Sequence, residues 1–172
     1  MKRSRIINAL FSLILVIGLL SCKEKQKHDE QVVSDRTKVV SFDNKMAFKE
    51  FKKLNLDSLY SNLLDPRKVT KEERQVVIKS WSKFHEKISE YTKKENFKWE
   101  VLDSTVKISN KIYFDKNGNV QYYYFKILNP NVTSEKRIEY EKLLLKFSVN
   151  EKIDLQRENK FAQCGNIKYR NY

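Results

Sequence analysis

The chain has 172 residues, with 35 Lys and Arg against 22 Asp and Glu, for a formal net charge of +13. Two cysteines rule out a disulfide-dense scaffold, and two histidines, His28 and His85, are too few and too far apart for a histidine-based metal site. Three glycines leave no glycine-rich phosphate loop, and no Ser-His-Asp set can be assembled around His85 alone, so the reading is non-enzymatic, with no cofactor and no metal.

Lys2, Arg3 and Arg5 open the chain, and Ile6 to Leu20 form an uncharged, mainly apolar run of 15 residues. A membrane-spanning helix needs about 20. A basic start and a short apolar run that ends on small residues read as a cleaved export signal over residues 1–21. Leu19-Leu20-Ser21-Cys22 resembles the lipobox of bacterial lipoproteins. That resemblance implies that Cys22 carries diacylglyceryl and acyl chains and becomes the first residue of the mature chain. Each buried CH₂ of such chains contributes about 0.8 kcal/mol, so lipid would hold the protein at a membrane without a span. The expected location is the cell envelope, lipid-anchored at the outer membrane and facing either the periplasm or the surface.

Loss of the signal removes three basic residues and no acidic one, which leaves a mature charge of +10. That excess suits an acidic envelope protein or an anionic glycan or lipid; nucleic acid is not an expected partner of an exported chain. Residues 22–38 are charged and free of aromatic residues, and read as a tether. Within it, Gln26-Lys27-His28-Asp29-Glu30 resembles a short surface-export signal of Bacteroidota lipoproteins. Cys164 has no remaining partner for a disulfide and is expected to be a small buried apolar group.

Residues 39–172 read as one domain. From Ser41 to Leu64 the apolar residues keep helical spacing in two pieces, the first capped by Asp43 or Asn44 and the second stopped by Asp65-Pro66. A long helix from Lys71 to about Lys94 starts at a Thr70/Glu73 capping box and carries Val77, Trp81, Phe84, Ile88 and Tyr91 on one face, with His85 at the edge of it. After Asn96 the period changes to two: Phe97, Trp99 and Val101, then Val106 and Ile108, then Ile112 and Phe114 predict strands. Asn117-Gly118 predicts a type I′ hairpin turn, with Val120 to Leu128 as the returning strand. The acidic and amide residues 115–119 belong to that turn, since their glycine comes too early for a calcium loop.

Ser134 is expected to cap a second helix to about Phe147, with Ile138 and Leu145 projecting away from its apolar stripe. A short strand at Lys152–Leu155 and a final one at Lys160–Tyr169 complete the pattern. The fold class is α+β: N-terminal helices packed on an antiparallel sheet of three to five strands, with one helix inserted before the last strand.

The candidate binding face is Trp99, Tyr122, Tyr123, Tyr124 and Phe125. Alternation puts Tyr122 and Tyr124 on one side of the strand and Tyr123 and Phe125 on the other. Aromatic residues are also strong strand formers, so packing under helices on one side and the N-terminal segment on the other is the favoured account of the run. The stretch KIYFDKNGNVQYYYFKIL, with FAQCGNIKY, resembles small lipoproteins of Bacteroidota. Hairpin, helix and strand over residues 108–170 resemble the C-terminal domain of TonB-type energy transducers in element order. Those proteins have a transmembrane anchor and a Pro-rich spacer, so the resemblance implies topology and not energy transduction. The function expected is a membrane-anchored binding or interaction module; the alternative is an immunity or inhibitor lipoprotein that captures an acidic protein partner.

Overall fold

The computed structural model describes residues 37–172. The expected export signal, Cys22 and all but the end of the expected tether lie outside the described residues. Five strands form one open sheet in the order β1-β4-β3-β5-β2. They are β1 (Lys38–Ser41), β2 (Ser61–Asn62), β3 (Thr105–Phe114), β4 (Val120–Ile127) and β5 (Phe161–Arg170). The helices are α1 (Lys45–Lys53), α2 (Leu56–Leu59), α3 (Lys71–Lys94) and α4 (Ser134–Asn150). The class is α+β, with α4 placed before the last strand as expected. The sheet itself is mixed: β4, β3 and β5 are antiparallel, while β1 joins β4 and β2 joins β5 in parallel.

The two parallel edges come from segments in which no strand was expected. Thr37 and Lys38, placed in the tether by composition, already belong to the fold. Thr37 is buried and its hydroxyl donates to the Val120 carbonyl at 3.0 Å. The second helical piece lasts only one turn, because Asn55 enters it with φ of 46° and Tyr60 leaves it extended. The chain then pairs with the start of β5. Here tertiary pairing overrides a helical pattern that had only a few residues left to run.

Helix α3 starts as the sequence indicates, with the Thr70 hydroxyl accepting from the Glu73 N–H at 3.2 Å. The Glu73 carboxylate does not close a capping box; it pairs with Arg157 at 3.0 Å. At the other end, Asn96 N–H donates to Lys93 O and Phe97 N–H to Thr92 O, with Asn96 at φ 57°. These are the two bonds of a Schellman stop, and they explain why residues 97–101 are not the strand their alternation predicts. Phe97 and Trp99 are instead tucked inward, where Trp99 packs on Tyr140 at 4.7 Å between ring centroids.

The hairpin is present, but its turn is not type I′. Gly118 alone in the loop has positive φ, at 87°, and its N–H donates to the Asp115 carbonyl. The Asp115 carboxylate accepts from the N–H groups of Asn117 and Asn119, both at 2.9 Å, so it organises a five-residue loop. A Cβ on Gly118 would come within 2.6 Å of the Ile153 carbonyl oxygen. Segment 152–155 makes one bridge, Asn119 to Lys152, in place of a strand. Helix α4 is capped by Thr133 rather than Ser134: its hydroxyl accepts from the Lys136 N–H.

The main core lies between one sheet face and helices α3 and α4. Val77, Phe84, Ile88, Ile108, Ile112, Phe114, Tyr123, Phe125 and Leu144 are at most 1 % exposed there. Each such side chain contributes roughly 1.5–3 kcal/mol through burial. His85 belongs inside this core and not at its edge: it is 3 % exposed and its Nδ1 is hydrogen-bonded to the Tyr169 hydroxyl. Burial holds its imidazole down at about 3, so the ring is neutral. A second, smaller cluster on the opposite sheet face holds Val40, Phe51, Leu56, Tyr60, Tyr113 and Ala162.

Candidate functional site

The five aromatic residues singled out by the sequence do not share a surface. Tyr123 and Phe125 are wholly buried in the main core, and the Tyr123 hydroxyl donates to Asn110 Oδ1 at 2.9 Å. Trp99 is also in that core, at 5 % exposure. Those three are removed from the candidate face, and their aromatic character serves packing. Tyr122 and Tyr124 remain, half-buried on the second sheet face.

On that second face the sequence builds a groove of about 330 Å³. Helix α1 begins where Asn44 Oδ1 accepts the Ala47 N–H at 3.1 Å, and this fixes Phe48 and Phe51 one turn apart over the sheet. Both rings stack on Tyr124, with centroids at 5.0 and 5.3 Å and planes within 20°. Phe51 also meets Tyr113 at 5.9 Å, and Tyr60 closes on Tyr113 edge-to-face at 5.2 Å. Offset aromatic contacts of this kind add about 0.5–1.5 kcal/mol each beyond area burial. The result is an aromatic floor and one aromatic wall, lined further by Lys52, Asn55, Asp57 and Lys111.

The polar side of the groove is already organised. The Tyr113 hydroxyl donates to Asp57 at 2.9 Å, and Lys111 Nζ stands 2.6 Å from the same carboxylate. Partial burial would raise the Asp57 carboxyl, but the hydrogen bonds from Lys111 and Tyr113 outweigh it and hold the group below its ordinary value. Burial, and then the bond to Asp57, push the Tyr113 phenol well above the ordinary range. Tyr124 is pushed up to about 12, chiefly by burial with a contribution from Asp43. All these groups keep one charge state near neutral pH.

Cys164 stands on this face beside Lys111 in the β3–β5 register, and it is exposed, contrary to the buried role expected of it. Partial desolvation raises its thiol above the ordinary value against the opposing pull of Lys111. The thiolate is therefore scarce, and the sulfur is not an activated nucleophile. A composition argument could not place it: the strand alternates buried Gln163 with outward Cys164, the reverse of what polarity suggests.

A further hollow of about 280 Å³ lies between the end of β1 and helix α4, where Ile138 stays 54 % exposed. Its Arg137 is structural. Its guanidinium reaches the carbonyls of Val132, Ile127 and Asn129 at 3.0, 3.2 and 2.9 Å and pairs with Asp43 at 2.6 Å. Leu145, the other residue expected to project outward, is half-buried.

Among the described residues no three His, Cys, Asp or Glu side chains gather as a metal ion would require. No helix among them is long and apolar enough to cross a membrane. In comparison with known proteins, no family model, no curated protein and no solved structure matches the chain.

Proposed function

We propose that this chain is a membrane-anchored lipoprotein of the cell envelope, and that its α+β domain is a non-enzymatic binding module whose contact surface is the aromatic groove. The lipoprotein part is supported by Lys2, Arg3 and Arg5, the apolar run Ile6–Leu20 and Cys22 at its end. The observation that carries the binding part is the groove of about 330 Å³, where Phe48, Tyr124 and the stem of Lys52 offer flat apolar surface beside the polar Asp57–Lys111 pair. Lys52 Nζ sits 5.2 Å from the Phe48 ring centroid, so cation and ring act as one unit. Such a surface takes a ligand with planar or sugar-like apolar faces and an anionic or hydrogen-bonding rim. An envelope glycan or an exposed segment of an envelope protein has that chemistry.

Two measurements test the two parts separately. Mass spectrometry of the processed chain should find acyl chains on Cys22 at its N-terminus; an unmodified thiol there sinks the anchor. Immobilised protein should retain one species from solubilised envelopes, and Phe48→Ala with Lys52→Ala should abolish that retention while Ile138→Ala keeps it. The +10 mature charge favours one second reading, an inhibitor or immunity lipoprotein. A single acidic protein retained in one-to-one ratio would select it over a glycan-binding module.

A further inference from the structure

The second sheet face has two halves. The half near the hairpin is covered by α1 and α2 and holds the groove. The other half, at the start of β3 and the ends of β4 and β5, lies beyond both helices; there the Phe42 ring meets Lys126, with Nζ 4.5 Å from its centroid. Strand alternation puts Lys107 of β3, Lys126 of β4 and Lys168 and Arg170 of β5 on this face, and all are exposed. Among the described residues no carboxylate lies within ion-pair distance of any of the four, although nine ion pairs form elsewhere among them. The face positions of these three strands carry no acidic residue at all.

The register makes the arrangement costly for the free protein. Lys107 and Lys168 are directly opposite one another. The Ala162 carbonyl accepts from Leu63 on the outer side of β5, and Asn171 N–H donates to Ser104 on the inner side. Even-numbered β5 residues therefore turn their backbone away from β3, and the Lys107–Lys168 pair is of the non-hydrogen-bonded kind, with Cα atoms only about 4.5 Å apart. Like charges opposed at that spacing are destabilising. Leu128 follows Lys126 on the same face, 39 % exposed, and its N–H donates to the Lys107 carbonyl. The patch spans three strands at about 4.8 Å spacing and mixes cations with an exposed leucine.

We propose that this half-face docks on a bilayer surface containing anionic lipid. Several headgroup phosphates at once neutralise four cations spread over three strands, and Leu128 enters the headgroup boundary, where an apolar side chain is stabilised. One small anion needs an enclosing cradle, and the two hollows described above lie elsewhere. Docking does not require lipid on Cys22 and does not use the groove, so it stands or falls apart from both.

Residues 37–172 hold every residue of both apolar clusters, so this fragment carries the described fold without Cys22. It should sediment with vesicles of phosphatidylglycerol in phosphatidylcholine and not with phosphatidylcholine alone, and added salt should release it. Lys107→Glu with Lys168→Glu should weaken binding about tenfold or more, given roughly 1 kcal/mol per basic residue near such a surface. Lys79→Glu with Lys142→Glu makes the same change of net charge on exposed helical lysines and should leave most of the binding. Equal loss from both pairs would mean attraction by net charge alone and overturn the assignment. So would absence of sedimentation, or complete displacement by millimolar inorganic phosphate, which would mark a small-anion site.

Discussion

The two faces of the sheet are built from similar residues and do different work. On the main face, rings from α3, α4 and the strands interlock with almost no exposure: Phe84 meets Phe114 and Phe147 edge-to-face at 5.6 and 5.4 Å. On the second face, a nine-residue helix and a single turn cover only part of the strands. Phe48 and Tyr124 there are stacked but only half-buried, and the part beyond the helices carries cations with no carboxylate partner among the described residues. Two aromatic clusters thus differ in closure: one is sealed between sheet and helices, and the other leaves part of its rings open to solvent.

The contrast predicts a graded set of mutational effects. Phe84→Ala removes a ring that is 1 % exposed between three elements and should cost about 3–5 kcal/mol in chemical denaturation. Phe48→Ala on the second face should cost about 1–2 kcal/mol, since its ring is only half-buried but stacks on Tyr124. Equal costs would break the division between the faces. Arg137→Ala should cost about 2–4 kcal/mol, because three carbonyls lose a charged donor and Asp43 loses its partner.

The main face also holds a polar fault. Gln163 is fully buried, and neither end of its amide has a hydrogen-bond partner within the protein. An unmade bond of this kind costs about 1–3 kcal/mol. Gln163→Met, which keeps length and removes the polar atoms, should raise the denaturation midpoint by about 1–2 kcal/mol in stability terms; a loss of stability would show that the amide is satisfied.

A subtler effect comes from His85, neutral in the fold with its pKa depressed to about 3 from an ordinary 6.5. Above the ordinary value neither state is protonated. As pH falls from there toward 3, the unfolded chain binds a proton that the folded chain refuses, so stability is lost through that window at up to about 1.4 kcal/mol per pH unit. His85→Leu should flatten that part of the stability–pH curve, and an unchanged slope would mean that the ring is already accessible to protons.

Much of the main face was legible in the sequence. The 3.6-residue stripe of α3, the alternation of β3 and β4, and the order hairpin–helix–strand are written in local periodicity, and local periodicity is what sequence reading detects. The second face was not legible, for reasons tied to particular residues. β1 is four residues long and follows a charged tether, and β2 is two residues inside a helical pattern; both exist only through parallel pairing with strands far away in the chain. Trp99 alternates with Phe97 and Val101 by coincidence of a helix stop and a left-handed Glu100, at φ 55°. Alternation did separate Tyr122 and Tyr124 from Tyr123 and Phe125 correctly, but which side would be closed depends on how long the covering helices are. Phe48, Phe51 and Asp57, which build the groove with Tyr124, carried only the signal of an amphipathic helix.

The most direct test of this division of labour is amide hydrogen exchange on the protein with and without the species it retains from solubilised envelopes. Protection should rise in residues 45–59, which form α1 and α2, while α3 and α4 exchange as before. Added protection on α3 or α4, with none on α1 and α2, would contradict the account.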